Sequence, residues 1–298
     1  VALTGQLTAT DVDAGETLSY TFSGTNPIDG LTINTDGSWS FDPANAAYND
    51  LAKGETRAIT VDYTVTDGSG ETGSSSFTIN LTGTNDIPVI DVIDDVNTTE
   101  DSTQLSGQLT ATDADADVLS YQLLGAPIDG LTIDATTGAW TFDPTNDAYQ
   151  SLAADDTQTI TVNYGVTDSN GAIAQSSFDI TLTGTNDAPT ATFSTAQATS
   201  EGSVSLTGQL TATDVDANET LSYAFSGDNT IDGLTIDEQT GAWSFDPSVD
   251  AYNDLAKGET RAITVDYIVT DGSGETGSSS FTINLTGTND IPVIDVID

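Results

Sequence analysis

The stretch AITVDYTVTDGSG, residues 58–70, recurs as AITVDYIVTDGSG at residues 262–274. Its apolar side chains Ile59, Val61, Tyr63 and Val65 fall on every second position. A period of two puts them on one face of a pleated strand, and the Asp-Gly-Ser-Gly that follows is turn chemistry. The same alternation runs through Leu31 and Ile33, Trp39 and Phe41, and Phe77, Ile79 and Leu81, with Gly, Asn and Asp between the runs. That pattern predicts half-buried antiparallel strands, about seven in each hundred residues, which is the density of a β-sandwich. The segment AYNDLAKGE (47–55) does not alternate and is expected to form a single helical turn.

Working outward, the whole pattern repeats. GQLTATD begins at Gly5, Gly107 and Gly208, and TGTND at Thr82, Thr183 and Thr286. The three tryptophans, Trp39, Trp140 and Trp243, keep the same rhythm. Residues 40–94 and 244–298 differ only at the pairs Ala44/Ser248, Asn45/Val249, Ala46/Asp250 and Thr64/Ile268. A period of about 100 residues is domain-sized, so each repeat is expected to own its core. The fold class is therefore all-β, a tandem array of three sandwiches. The expected bounds are residues 1–86 for a first repeat lacking its N-terminal strand, 87–187 for the second and 188–290 for the third. Because TGTNDIPVIDVID fills both 82–94 and 286–298, residues 291–298 read as the first strand of a following repeat, and the sequence as a slice of a longer array.

Composition narrows the chemistry. The 298 residues carry 47 acids against four bases, a formal charge of −43, with no Cys, Met or His. Thiolate and imidazole metal sites, disulfides and His-based catalysis are excluded. The bases Lys53, Arg57, Lys257 and Arg261 sit in two copies of LAKGETRA, so no basic stripe exists for nucleic acid or anionic lipid. No apolar run is long enough to cross a membrane as a helix. Paired-carboxylate catalysis needs a cleft and an acid of raised pKa, which turn-borne acids on small sandwiches are not expected to supply. The expectation is a non-enzyme. Even spacing with Phe41, Phe142 and Phe245 assigns the tryptophans to the core rather than to a sugar-stacking surface.

The acids are not scattered. A D-x-D follows the first strong strand of every repeat (Asp11 and Asp13; Asp113 and Asp115; Asp214 and Asp216), and one Asp ends the long strand in VTDGSG or VTDSNG (Asp67, Asp168, Asp271). An Asn-Asp pair lies in each joint (Asn85 and Asp86; Asn186 and Asp187; Asn289 and Asp290), and Glu100 and Glu201 precede the strand that leads to the D-x-D. Calcium takes six to eight oxygens from carboxylates, amides and backbone carbonyls. Two carboxylates about 4 Å apart repel by about 1 kcal/mol in water and about 4 kcal/mol at an effective dielectric of 20. Converging acids would hold a joint apart until a cation entered. An EF-hand reading of DADAD (113–117) fails, with Val118 at its sixth position and Leu124 at its twelfth.

GQLTATDVDAGETLSY, TINTDGSWSFDP, LAKGETRAITVDYTVTDGSGE and INLTGTNDIPV resemble the VCBS-type repeat of very large bacterial surface proteins over essentially the whole chain. That repeat is similar to cadherin domains. The resemblance implies cadherin-like or Ig-like sandwiches, secretion to the cell surface in type I secreted adhesins, and Ca2+ at joints between successive domains. Carried over residue by residue, it implies ligands Glu55, Asn85, Asp86, Asp113, Asp115 and Asp168 at the first joint. At the second it implies Glu100, Asp156, Asn186, Asp187, Asp214, Asp216 and Asp271. Asp11, Asp13 and Asp67 hold the matching places in the first repeat, and Glu201, Glu259, Asn289 and Asp290 those at the end of the third. The cadherin linker's first acid is replaced by Gly83, Gly184 and Gly287, and its L-D-x-E keeps only Leu51, Leu152 and Leu255 with the last carboxylate. The expected function is an extender of a long adhesin, with calcium and neighbouring repeats as partners, projecting a distal binding domain for adhesion and biofilm formation. The second reading is recognition of a glycan or protein by the repeats themselves, or a head-to-tail fibre in which residues 291–298 add a strand to a neighbouring copy.

Overall fold

The computed structural model describes every residue except 14, 194, 228–229 and 293–298, so the strand expected at 291–298 lies almost wholly outside the described residues. Two compact units are present. One comprises Val1–Asp95, Leu105–Phe142 and Thr161–Asp179; the other comprises Val96–Gln104, Asp143–Ile160 and Ile180–Asp298. The all-β expectation holds, and the only helical pieces among the described residues are 3-10 turns at Ala46–Tyr48, which overlaps just the start of the segment 47–55 expected to be helical, and at the matching Asp250–Tyr252 of the third repeat.

The second unit contains the third repeat in its fullest form. Gln197–Ser200, Thr276–Thr286, Thr260–Thr270 and Ser222–Phe225 make a four-stranded sheet in that order, and Leu206–Gln209, Ala242–Phe245 and Leu234–Ile236 make a three-stranded one. Alternation works as the sequence demands: Val265, Tyr267, Val269, Phe281, Ile283 and Leu285 from the first sheet meet Leu234, Trp243 and Phe245 from the second in one buried cluster. Pairing is antiparallel except that Gln197–Ser200 runs parallel to Ile283–Thr286. Val96–Thr99 does the same beside Ile180–Thr183. This parallel pairing and the splitting of two strands give nine short segments in each of these repeats rather than seven. The opening segment first pairs with Thr211–Thr213 through Thr190–Thr192, then crosses to the other sheet and arrives alongside the last strand in the same direction.

The first unit holds the first repeat, whose sheets are Leu3–Gln6, Ser38–Phe41, Leu31–Ile33 and Ser19–Phe22, Thr56–Thr66, Thr72–Thr82. Its second sheet has three strands, and among the described residues none lies along the outer edge of Thr72–Thr82. The effect on the core is direct. Trp243, Tyr267, Phe281 and Leu285 are all buried, whereas their counterparts Trp39, Tyr63, Phe77 and Leu81 are only half-buried. In the third repeat Phe193 stacks on Phe281 at 4.3 Å, and among the described residues no ring stacks on Phe77 in the same way. At the far end of Thr72–Thr82 a cavity of about 440 Å3 opens, lined by Pro43, Tyr48, Leu51, Leu81, Gly83 and Asp86. In the third repeat Gly202 donates to the carbonyl of Pro247, the counterpart of Pro43.

The glycine of GQLTATD has a packing role. Gly208 lies opposite Trp243 across the strands, and a Cβ built on it would come within 2.5 Å of the indole. Gly5 and Gly107 meet Trp39 and Trp140 at the same distance. The indole thus lies flat on bare backbone and is buried to 4% exposure at Trp140 and 2% at Trp243. Gly208→Ala is expected to destabilise the third repeat by about 1–3 kcal/mol through overpacking. Urea denaturation followed by Trp243 fluorescence, with Trp39 and Trp140 replaced by Phe, measures it. An unchanged midpoint would show that the indole does not rest on that glycine.

Candidate metal centre

Each candidate centre begins with a backbone contact. The loop after the 3-10 turn packs on the chain leaving the last strand: Gly83 donates to the Glu55 carbonyl at 2.8 Å and Gly54 donates to the Gly83 carbonyl at 3.0 Å. A Cβ at Gly83 would sit 2.2 Å from the Leu51 carbonyl oxygen, and one at Gly184 or Gly287 would meet the corresponding loops at 2.3 and 2.5 Å. An aspartate cannot occupy this position without moving the loop. That is why the linker acid is absent here.

The Asn-Asp pair follows immediately and is tied to the next repeat. In the first unit the Asp86 amide donates to Asp115 Oδ2 at 2.8 Å and Asn85 Nδ2 donates to Asp168 Oδ2 at 2.7 Å. In the second unit the Asp187 amide donates to Asp216 Oδ2 at 2.8 Å and Asn186 Nδ2 donates to Asp271 Oδ2 at 2.9 Å. Each D-x-D closes an Asx turn, with the amides of Asp115 and Asp216 donating to Asp113 and Asp214. Glu100 reaches the second centre because its strand runs parallel to Ile180–Thr183; its Oε1 accepts from the Thr185 amide at 2.7 Å. Glu201 repeats the arrangement, accepting from the Thr288 amide at 3.0 Å.

In most of these groups one oxygen is engaged and the other is not. Buried oxygens without a partner include Glu100 Oε2, Asp113 Oδ2, Asp115 Oδ1, Asp187 Oδ2, Asp214 Oδ2, Asp216 Oδ1 and Glu201 Oε1, together with Oδ1 of Asn85 and Asn186. Glu100 is fully buried, and Asp216 and Glu201 are each 4% exposed. Carboxylate oxygens of Glu100, Asp187 and Asp216 lie within 4.8 Å of one another, as do those of Asp113, Asp115 and Asp117. Burial pushes the pKa of Glu100 up, and the charges of Asp101, Asp187 and Asp216 push it further. Asp187 and Asp216 are raised for the same two reasons, burial first. Asp168 is instead held low by Asn85. At Asp271, burial pushes upward but is outweighed by the hydrogen bonds from Asn186 and the turn amides. Unpaired buried carboxylate is costly unless a cation or proton meets it, so the donor set fits a hard, oxygen-seeking divalent ion.

The other expected residues sit elsewhere. Glu55 and Glu259 turn back to accept from the amides of Ala52 and Ala256 in their own loops. Asp156 is exposed. Asp11, Asp13 and Asp67 are arranged as in the other repeats, with the Asp13 amide on Asp11 and the Ser69 and Glu71 amides on Asp67, but no Asn-Asp pair of the described chain faces them. Asn289 is exposed and bonds to the Asp290 carbonyl.

The family description "Bacterial Ig domain" matches residues 1–80, 85–181 and 186–284. The chain belongs to the bacterial Ig domain family. The three Ig domains also resemble solved cadherin structures. Human CDH23 EC21-23 is 16% identical over 89% of this chain and 88% of its own, with a TM-score of 0.52. PcdhgB3 EC1-4 is 17% identical over 97% and 72%, also at 0.52. Mouse cadherin-23 EC22-24 is 17% identical over 95% and 90%, at 0.48. At these identities the likeness is one of fold. A search of curated proteins finds no match.

Sequence reasoning passed over Asp117, Glu16 and Glu219, which the Ig domains bring against the turn bearing Asp168, Asp67 and Asp271. The signal was hidden by a one-residue difference, ADAD-V against VDAGET or VDANET, which shifts the acid out of register. Glu100→Gln is expected to stabilise the chelated protein at neutral pH by on the order of 1 kcal/mol, because it removes one of three mutually repelling charges. Thermal denaturation in EDTA reads this. A lower melting temperature would mean that the three carboxylates do not oppose one another.

Proposed function

We propose that the chain is a run of extender modules from a secreted bacterial surface adhesin of the VCBS-repeat type, with calcium held where one Ig domain meets the next. The observation that carries this reading is the buried carboxylate oxygen without a partner: Glu100, Asp187 and Asp216 each keep one, their carboxylates lie within 4.8 Å of one another, and in Glu100 and Asp216 the opposite oxygen is fixed by a backbone amide. At the first joint Asp113, Asp115 and Asp168 would hold the ion with Asn85 and Asp86. At the second, Glu100, Asp187, Asp214, Asp216 and Asp271 would do so with Asn186. Glu201, Asn289 and Asp290 would begin a third joint, and Asp11, Asp13 and Asp67 would complete one with a preceding domain. A bound calcium ion supplies the positive charge these oxygens lack. The side chains then cross-link the Asn-Asp linker to loops of the following domain, and a hinge becomes a strut. Near-copies favour this role over recognition, since length grows with every copy whereas a specific site is needed once. Projection of a distal binding domain, adhesion, biofilm formation and export by a type I route follow from the same reading. Catalysis has no place in it.

Small-angle scattering with and without chelator tests the reading. In calcium the chain should be stiff, and chelation should broaden its distance distribution while β-type circular dichroism persists. Asp113→Ala with Asp115→Ala should loosen one joint in calcium and leave the other ions bound, because separate joints share no ligands. Indifference of both scattering and melting temperature to chelator would end the calcium reading.

A further inference from the structure

The turn that follows each long strand has a division of labour among its amides. In the third repeat, Asp271 Oδ1 accepts from the amides of Ser273, Gly274 and Glu275 at 2.9, 2.6 and 2.9 Å. The remaining amide, that of Gly272, donates to Glu219 Oε2 at 3.1 Å, 53 residues away in the loop after the D-x-D. In the first repeat, Asp67 accepts from Ser69 and Glu71, and the Gly68 amide donates to Glu16 Oε2 at 2.9 Å. In the second, Asp168 accepts from the amides of Asn170 and Ala172. There Asp117 takes the bridging place, its Oδ1 accepting from Ser169 Oγ and its Oδ2 from Asn170 Nδ2, both at 2.7 Å.

The partners change together. A Cβ at Gly68 would stand 2.4 Å from Glu16 Oε2, and one at Gly272 would stand 3.0 Å from Glu219 Oε2. A long acid therefore goes with glycine in the turn. The second repeat has the shorter acid, Asp117, a loop one residue shorter, and Ser169 in place of the glycine; the serine hydroxyl spans the gap the shorter side chain leaves. The carboxylate contact is thus present in all three repeats, made by different residues at both ends in the second.

We infer that Glu16, Asp117 and Glu219 are positioning residues that latch the D-x-D loop to the turn carrying Asp67, Asp168 and Asp271, and so set that aspartate beside the D-x-D pair. The inference rests on the calcium reading for its purpose but not for its geometry. With the turn held by the latch, through the Gly272 amide in the third repeat and through the Ser169 and Asn170 side chains in the second, the other amides stay on Oδ1, and Oδ2 of Asp168 or Asp271 is left facing the Asn of the linker. Opening the latch frees the turn to rotate and moves that carboxylate before any ion arrives. Glu16 is exposed, Asp117 and Glu219 are half-buried, and none of the three belongs to the buried core, so their replacement is expected to spare the fold.

The test uses the whole chain with four variants: Glu219→Ala, Glu219→Asp, Gly272→Ser, and Glu219→Asp with Gly272→Ser, which transplants the pair of the second repeat. Hydrogen exchange of the 272–275 amides in chelator reads the latch without metal, and calcium titration calorimetry reads its consequence. Glu219→Ala should speed exchange of these amides roughly five- to tenfold, as for loss of one charge-assisted hydrogen bond, and weaken calcium at one joint several-fold while leaving the melting temperature in chelator unchanged. Glu219→Asp alone should do nearly the same, and the double variant should recover both readouts. Unchanged exchange in Glu219→Ala overturns the latch. Faster exchange with unchanged calcium affinity overturns its positioning role. If the parent chain binds no calcium, the calcium reading falls by itself, and exchange together with recovery in the double variant still decides the latch.

Discussion

The joints of this chain are governed by carboxylates whose two oxygens live in different worlds. One is held by a backbone amide, and this fixes where the acid stands. The other is buried with no partner, which makes standing there costly. Asp216 shows both halves: Oδ2 takes the Asp187 amide, while Oδ1 faces Glu100 and Asp187 without a donor. Protein donors position the acids and stop short of neutralising them. Everything nearby serves that arrangement: the glycine that lets the linker touch the preceding loop, the parallel strand that delivers Glu100, and the carboxylate latch behind Asp271.

The first and third repeats form an internal experiment. Their sequences are nearly identical from residue 40 and residue 244 onward, yet the same side chains are half-buried in one and fully buried in the other. The difference lies outside those residues, in the strand Gln197–Ser200 and in Phe193, which close the sheet edge and cover Phe281 in the third repeat. Burial here is set by which strands flank the sheet, not by the hydrophobicity of the strands themselves. The element that completes the core also carries the buried glutamate, since Glu201 follows Ser200 directly. Closing the sandwich and supplying the joint's acid are one act.

Much of this was legible in the sequence because a strand advertises itself through period two. Ile59, Val61, Tyr63 and Val65 give the long strand, and the recurrence of D-x-D and Asn-Asp at turns gives the places where charge collects. The parallel pairing was not legible, since alternation is the same for either direction of the neighbouring strand. Gly208 was readable as a repeat marker but not as a seat for Trp243, because the two meet across strands 35 residues apart. Glu55 is offered as a ligand by the family resemblance alone; in the structure its carboxylate accepts from the Ala52 amide of its own loop.

Long-wavelength anomalous diffraction from crystals grown in calcium tests the central claim most directly. The account predicts a calcium peak within coordination distance of the unpaired oxygens of Glu100, Asp187 and Asp216, and another beside Asp113 and Asp115, with the amide bonds to the opposite oxygens of Glu100, Asp216, Asp113 and Asp115 intact. Carboxylates that turn away from one another, with water between them and no anomalous signal, would contradict it.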